Sequence, residues 1–209
     1  MLRIEMLEVG QIEANCYLVY DEQTRETLVI DPGAEGERIQ KRIEVLALKV
    51  KYIINTHGHL DHIGANGYLK EKNRGAEICI HRGDSEMLTD PRKNISFYFA
   101  GKEIDGPPAD RHLEAGEVLT IGTLNFKVLH TPGHTLGGIC LVGEGVCFTG
   151  DTLFAGSIGR TDLPGGSFPT IIKAIKNELF VLDEETVVYP GHGPQTTIGH
   201  EKKTNPYFR

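Results

Sequence analysis

Thr56-His57-Gly58-His59-Leu60-Asp61-His62 places three imidazoles and a carboxylate in one short stretch. Before it, Val50-Lys51-Tyr52-Ile53-Ile54-Asn55 reads as a buried strand, because β-branched and aromatic residues crowd a run too short for a helix. After it, the spacing predicts a helix from about Asp61 to Asn73, closed by Arg74-Gly75. The cluster therefore falls on a loop at the carboxyl end of a strand, where ligands gather in α/β folds. One His in isolation is more often packed or solvated than liganding. Three with an Asp in one loop point to a metal, since imidazole is the commonest metal ligand and carboxylates join it at hydrolytic sites.

Working outward towards the N-terminus, residues 26–30, 15–20 and 2–9 read as strands. Asp31-Pro32-Gly33 stops the strand at 26–30. Ile39, Ile43, Leu46 and Ala47 then recur at helical spacing between Glu35 and Leu48. Towards the C-terminus come a strand at 76–80, a short helix at 83–88 and an irregular stretch, 90–111, containing Pro91, Gly101, Gly106, Pro107 and Pro108. Its run Ile95-Ser96-Phe97-Tyr98-Phe99 is expected to anchor the loop to the core or to wall a cleft. Strands follow at 117–121, 124–129, 138–142 and 146–149. After a Gly-rich loop, a helix is predicted from the cap Ser167, with Pro169 in its first turn and Ile171, Ile172, Ile175 and Leu179 as its apolar face. Residues 186–189 read as a last strand, and the polar tail from Ile198 to Arg209 is expected on the surface. Each half thus gives strands, then a helix, with its polar chemistry at strand ends. That echo predicts an α+β fold in which two β-rich halves face each other with helices outside, a four-layer αββα sandwich.

Four segments share one form, a strand running into a Gly-containing turn tipped by His or Asp. They are Thr56–His62, Pro132-Gly133-His134, Thr149-Gly150-Asp151 and Pro190-Gly191-His192. Together they offer five His and two Asp. One tetrahedral site with a catalytic water needs three protein ligands, so this set suits two metals sharing a carboxylate and a hydroxide. A water held between two cations loses its proton near neutral pH and attacks a carbonyl, while a metal stabilises the oxyanion. Asp61 or Asp151 is placed to orient it. His81, His112, His130 and His200 match no ligand position and are read as ordinary histidines.

The whole chain sets outer limits. At 209 residues it is expected to be a single domain, 1–209. Its 39% hydrophobic and 24% charged residues are ordinary for a globular protein. A net charge of −7 argues against nucleic acid and membrane surfaces as partners. Cys16, Cys79, Cys140 and Cys147 are scattered and read as reduced, buried thiols. No secretory apolar segment is legible, so a cytoplasmic location is expected, as a monomer or small homo-oligomer.

The signatures T-H-G-H-L-D-H at 56–62, P-G-H-T at 132–135, T-G-D-T-L-F at 149–154 and P-G-H-G at 190–193, with I-D-P-G around Asp31, resemble the metallo-β-lactamase superfamily. The resemblance is strongest to its glyoxalase II branch, the hydroxyacylglutathione hydrolases, and especially to short single-domain members. It implies that His57, His59 and His134 hold one metal and that Asp61, His62 and His192 hold a second. Asp151 would bridge them, and Asp31 would steady the His loop. The cofactor expected is two divalent ions per chain, zinc first, with iron or manganese as alternatives. The implied substrate is a small-molecule thioester of the S-lactoylglutathione kind, whose thiolate leaves without much acid assistance. The C-terminal helical domain that supplies much of the glutathione pocket in longer members is expected to be absent. In glutathione-binding members the loop after Asp151 carries a Lys and a Tyr. Here Arg160 stands near the Lys position and no Tyr follows, so Arg160 is a candidate either for a substrate carboxylate or for Asp162.

Two rival enzyme classes share the signature. Persulfide dioxygenases resemble this chain in Gly159-Arg160-Thr161-Asp162 and would use one iron on His57, His134 and Asp151. Other hydrolases of the superfamily, acting on lactones, lactams or phosphoesters, are further alternatives. A non-catalytic metal-binding module is the remaining one.

Overall fold

The computed structural model describes residues 1–99 and 103–209 of the chain, so Gly101 in the irregular stretch lies outside the described residues. The first sheet carries β1 (Leu2–Val9), β2 (Ala14–Asp21), β3 (Glu26–Ile30), β4 (Lys49–Ile54), β5 (Glu77–His81) and β6 (Arg111–Leu113) in spatial order. β1 to β3 run antiparallel, and β3 to β6 run parallel. The second sheet carries β7 (Val118–Ile121), β8 (Leu124–His130), β9 (Ile139–Gly143), β10 (Val146–Gly150), β13 (Val187–Pro190) and β14 (Thr196–Thr197). Between β10 and β13 the chain makes a small hairpin, β11 (Leu153–Phe154) with β12 (Ser157–Ile158). The helices are α1 (Gly36–Val45), α2 (Leu60–Ile63), α3 (Asn66–Lys72), α4 (Ser96–Phe99), α5 (Phe168–Ala174) and α6 (Ile198–Thr204).

Strand periodicity explains the layering, because alternate side chains point to opposite faces. All of β2 is buried. Its Leu18 and Tyr20 pack with Ile53 and Ile78 against Ile39 and Ile43 of α1 and Leu69 of α3. Its Tyr17 and Val19 turn the other way, onto Phe126, Val128, Leu141 and Phe148 of the second sheet. On the far side of that sheet, Cys140, Cys147 and Val188 pack under Ile171, Ile175, Leu179 and Ile198. Three apolar layers thus separate helix, sheet, sheet and helix, and the αββα expectation holds. Among the described residues no helix is long and apolar enough to cross a membrane.

The structure corrects the sequence reading in several places. The helix expected from Asp61 to Asn73 is two, broken at Gly64-Ala65, where a Cβ on Gly64 would lie 2.3 Å from the Gly33 carbonyl oxygen. β6 was not anticipated. It is a strand because Arg111 and His112 pair with Cys79 and Ile80, not because of its own apolar content. The tail is not simply a surface segment: Ile198, Glu201 and Asn205 of α6 and its C-cap are buried. Ser167 does sit at the start of α5, but its hydroxyl meets Thr170 Oγ1 at 2.7 Å and not a backbone N–H. In the irregular stretch, Phe97 and Tyr98 stand 49% and 65% exposed, so these two aromatics are not core anchors. Ile95 and Ser96 of that run are buried.

Candidate metal centre

Every candidate ligand lies just past a strand of the inner layers. β4 delivers His57 and His59 and the start of α2, which carries Asp61 and His62. β8, β10 and β13 deliver His134, Asp151 and His192. The last of these loops is pinned from the other sheet. Asn15 Nδ2 donates to the Pro190 and Gly193 carbonyls at 3.0 and 2.9 Å, and Tyr17 Oη donates to Pro190 O at 2.6 Å. Gly191 leaves room for the site itself, since a Cβ there would meet Asp151 Oδ1 at 2.2 Å.

The seven side chains singled out in the sequence converge. Ligand atoms of His57, His59 and His134 lie within 4.8 Å of one another, as do those of Asp61, His62 and His192. Asp151 stands between the two groups. Its Oδ1 is 3.4 Å from His62 Nε2, and its Oδ2 is 3.6 Å from His134 Nε2 and 3.7 Å from His192 Nε2. His192 Nε2 is 3.2 Å from Asp61 Oδ2.

The donor set fits a cation. Nε2 of His57, His59 and His62 and Oδ1 of Asp151 are buried with no hydrogen-bond partner among the described residues. Buried polar atoms are seldom left so, and several aimed at one point mark a site built for something that accepts lone pairs. At His57 and His59 the electrostatics agree. Burial, reinforced by the neighbouring imidazoles, drives His57 well below its ordinary value and His59 down to about 3. Both are therefore neutral, as metal-ligating histidines must be. Burial also works against charge on His62, but Asp61, Asp151 and Asp31 outweigh it and push it up to about 10. Burial would raise Asp61, yet His62 and His192 hold it below the usual carboxylate range.

Around this ring other groups fix orientation. His134 Nδ1 lies 2.8 Å from the Arg160 carbonyl oxygen, which turns Nε2 inward. Asp31 accepts from Thr56 N at 2.7 Å and from Thr56 Oγ1 at 2.6 Å, tying the end of β3 to the His loop. The guanidinium of Arg160 makes a two-pronged pair with Asp162, at 2.8 Å for each prong.

One residue escaped the sequence reading. Asp84, on the 3₁₀ turn after β5, is 1% exposed and accepts from Gly137 N at 2.6 Å and Gly58 N at 3.2 Å. It therefore bridges the loop of His57 and His59 to the loop of His134. No local signal marks it, because both partners are backbone amides far away in sequence. The four remaining histidines stay outside the centre. His81 and His130 stack on each other at 4.2 Å, and His112 meets Ser85 Oγ at 2.8 Å.

A cleft of 410 Å³ opens over the centre. Ile95, Phe154, Ile158 and Leu163 wall it, and Arg160 stands at its side. The small hairpin β11–β12 supplies Phe154 and Ile158. It is held from the tail, where buried Glu201 accepts from Gly156 N at 2.9 Å and Asn205 Nδ2 donates to Ser157 O at 3.1 Å.

Comparison with known proteins places this arrangement. The chain is 40% identical to the hydroxyacylglutathione hydrolase GloC of Haemophilus influenzae, over 99% of this chain and 98% of that one. The BLEG-1 B3 metallo-beta-lactamase has a TM-score of 0.94 and 37% identity, with 99% of each chain covered. TTHA1623 in a di-iron-bound form gives 0.86 and 34%, covering 97% of this chain and 99% of that one. ETHE1 from Myxococcus xanthus gives 0.80 and 30%, covering 98% and 83%. The profile of the metallo-beta-lactamase superfamily matches residues 9–192, from the end of β1 to the last candidate ligand. A match that takes in all seven converging side chains and both sheets settles the family: the chain belongs to the metallo-beta-lactamase superfamily.

Proposed function

We propose that this metallo-hydrolase cleaves a glutathione-type thioester, of which S-lactoylglutathione is the reference substrate. The observation that carries the proposal is the convergence of seven ligand side chains, split into two trios around Asp151, beneath an apolar-walled cleft. The likeness to the Haemophilus influenzae hydroxyacylglutathione hydrolase supports the choice of thioester.

In this reading His57, His59 and His134 hold one divalent ion, Asp61, His62 and His192 hold a second, and Asp151 faces both. The ions would be zinc, iron or manganese; the di-iron form of TTHA1623 makes iron a direct competitor of zinc. When bound, they supply Lewis-acid polarisation of the thioester carbonyl and acidify a water molecule. The protein's own groups do the rest. Asp31 and Asp84 hold the ligand loops, the Arg160 carbonyl sets the face of His134, and Asp61 and Asp151 accept hydrogen bonds that orient the attacking water. The water oxygen ends on the acyl carbon, the carbon–sulfur bond breaks, and the products are a carboxylic acid and a thiol. Because a thiolate is a stable leaving group near neutral pH, the chain needs no dedicated acid for it.

The test is loss of thioester absorbance with S-lactoylglutathione, using metal-replete protein with and without a chelator. Chelator-sensitive turnover is expected, with Asp151→Ala inactive. Absence of turnover by fully loaded protein would sink the proposal. Gly159-Arg160-Thr161-Asp162, with its paired Arg160 and Asp162, favours an iron-dependent persulfide dioxygenase as the second reading. Oxygen uptake with glutathione persulfide at one iron per chain would establish it. The likeness to BLEG-1 adds a β-lactam as a control substrate.

A further inference from the structure

A second hollow, of 250 Å³, adjoins the cleft over the metal centre. Ile12, Leu60 and Asp61 border both, so the two spaces meet at the carboxylate that converges with His62 and His192. Val9, Ala34 and Ile104 supply further apolar wall of the second, and Gly10, Gln11 and Gly33 complete its lining. The hollow is firmly built. A Cβ on Gly33 would lie 1.5 Å from the Asp61 carbonyl oxygen, so the backbone of the ligand loop packs directly on its floor. Ile104 is fixed by its own backbone, which accepts from Asn94 Nδ2 at 2.8 Å and donates to Ser96 Oγ at 2.9 Å. Ile12, in the turn between β1 and β2, stands as a ridge between the two spaces and is 54% exposed.

Charge separates the two spaces. Asp61 is the one charged residue among the described residues lining the second hollow. Arg160, the one Lys or Arg lining either space among the described residues, is on the other side, in the larger cleft. An anionic group in the second hollow would lose hydration and meet the Asp61 carboxylate with no Lys or Arg among the described lining residues, whereas an alkyl chain would lose only unfavourable contact with water. A thioester has two arms diverging from its carbonyl, and the two spaces diverge from Asp61. We infer that the second hollow takes an apolar acyl arm, longer and less polar than lactoyl, while the thiol arm lies in the larger cleft. The inference rests on the thioester-hydrolase reading.

The experiment uses metal-replete protein and S-acylglutathiones from acetyl to octanoyl. The kcat/KM is expected to rise about threefold to fourfold per added methylene in the middle of the series, since each buried methylene carries about that preference, and to pass the value for lactoyl. Ala34→Phe, which fills the hollow, should flatten the series while metal content by elemental analysis is retained. Ile12→Asn, at an exposed site that folding does not need, should lower the octanoyl-to-acetyl ratio. A flat series, or a rise that survives both substitutions, overturns the inference. Binding is read separately by calorimetry with S-octylglutathione and S-methylglutathione. Tighter binding of the octyl compound by the native protein but not by Ala34→Phe upholds the hollow even if no thioester is cleaved, and then the hydrolase reading alone falls. Equal binding of the two compounds removes the hollow and leaves hydrolysis of S-lactoylglutathione untouched.

Discussion

At the scale of single residues, the buried carboxylate of Asp84 shows how the centre is braced. Its two oxygens hold one amide from each of two ligand loops. Asp84→Asn turns one acceptor into a donor facing a backbone N–H, so the loops should part slightly. Metal affinity is expected to fall about 10- to 100-fold, as for other groups that orient ligands from behind. Competition against a chelator of known affinity measures this, and unchanged affinity would show that the loops stand without it. A second residue-scale prediction concerns alkaline pH. Burial pushes the Cys79 thiol up to about 12 from an ordinary value of 9.0, and burial raises Cys16 and Tyr17 too. An unfolded chain therefore loses these protons first as pH rises. The stability they contribute is complete below about pH 9 and declines from there towards pH 12. Urea midpoints should drop between about pH 8 and pH 10.5, and should drop less in Cys79→Ala than in the native protein compared with itself. Five of the seven converging side chains, His57, His59, His134, Asp151 and His192, were legible in the sequence because each sits beside a glycine in a turn after a strand, and Asp61 and His62 because they continue the first of those turns into α2. Asp84 was not, because its partners are backbone groups and carry no residue-type signature.

At the scale of elements, strands and the long helix α1 follow from periodicity, whereas the segments that failed to announce themselves are those stabilised from outside. β6 exists through its pairing with β5. The break between α2 and α3 follows from the close approach of Gly64 to Gly33. α6 was hidden by its polarity: Glu201 is buried, but it is buried against donors. It takes hydrogen bonds from Gly156 N, Thr196 Oγ1 and Asn205 Nδ2. Hydropathy sees a carboxylate and assigns it to water; the fold satisfies it internally. Glu201→Ala should leave those donors unpaired and cost about 1–3 kcal/mol, measurable by urea unfolding. Since the same contacts hold β11–β12, which carries Phe154 and Ile158 into the cleft, KM should rise more than kcat falls. A change in stability with no change in KM would show that the hairpin keeps its place unaided.

At the scale of the whole molecule, the sandwich brings a trio of imidazoles and a carboxylate-bearing trio together in a buried place. Asp61, Asp151 and Asp31 crowd round His62 there. A cation bound only by the folded chain stabilises it by mass action, by about 4 kcal/mol when present at a thousand times its dissociation constant. Chelation should therefore lower Tm by several degrees as well as abolish turnover, and calorimetry with and without chelator would show whether the two losses travel together. The origin of the ligands has one more consequence. Four of the seven leave the first sheet after β4, three leave the second after β8, β10 and β13, and Ala14 bridges to His192 between them. Neither sheet alone can assemble the set, and its members come from segments far apart in the chain, a topology that slows folding. Metal capture is thus a clock for the last step of refolding. With cobalt as a coloured ion, the visible band should lag behind recovery of the far-ultraviolet signal, and the length of that delay would time the docking of one sheet on the other.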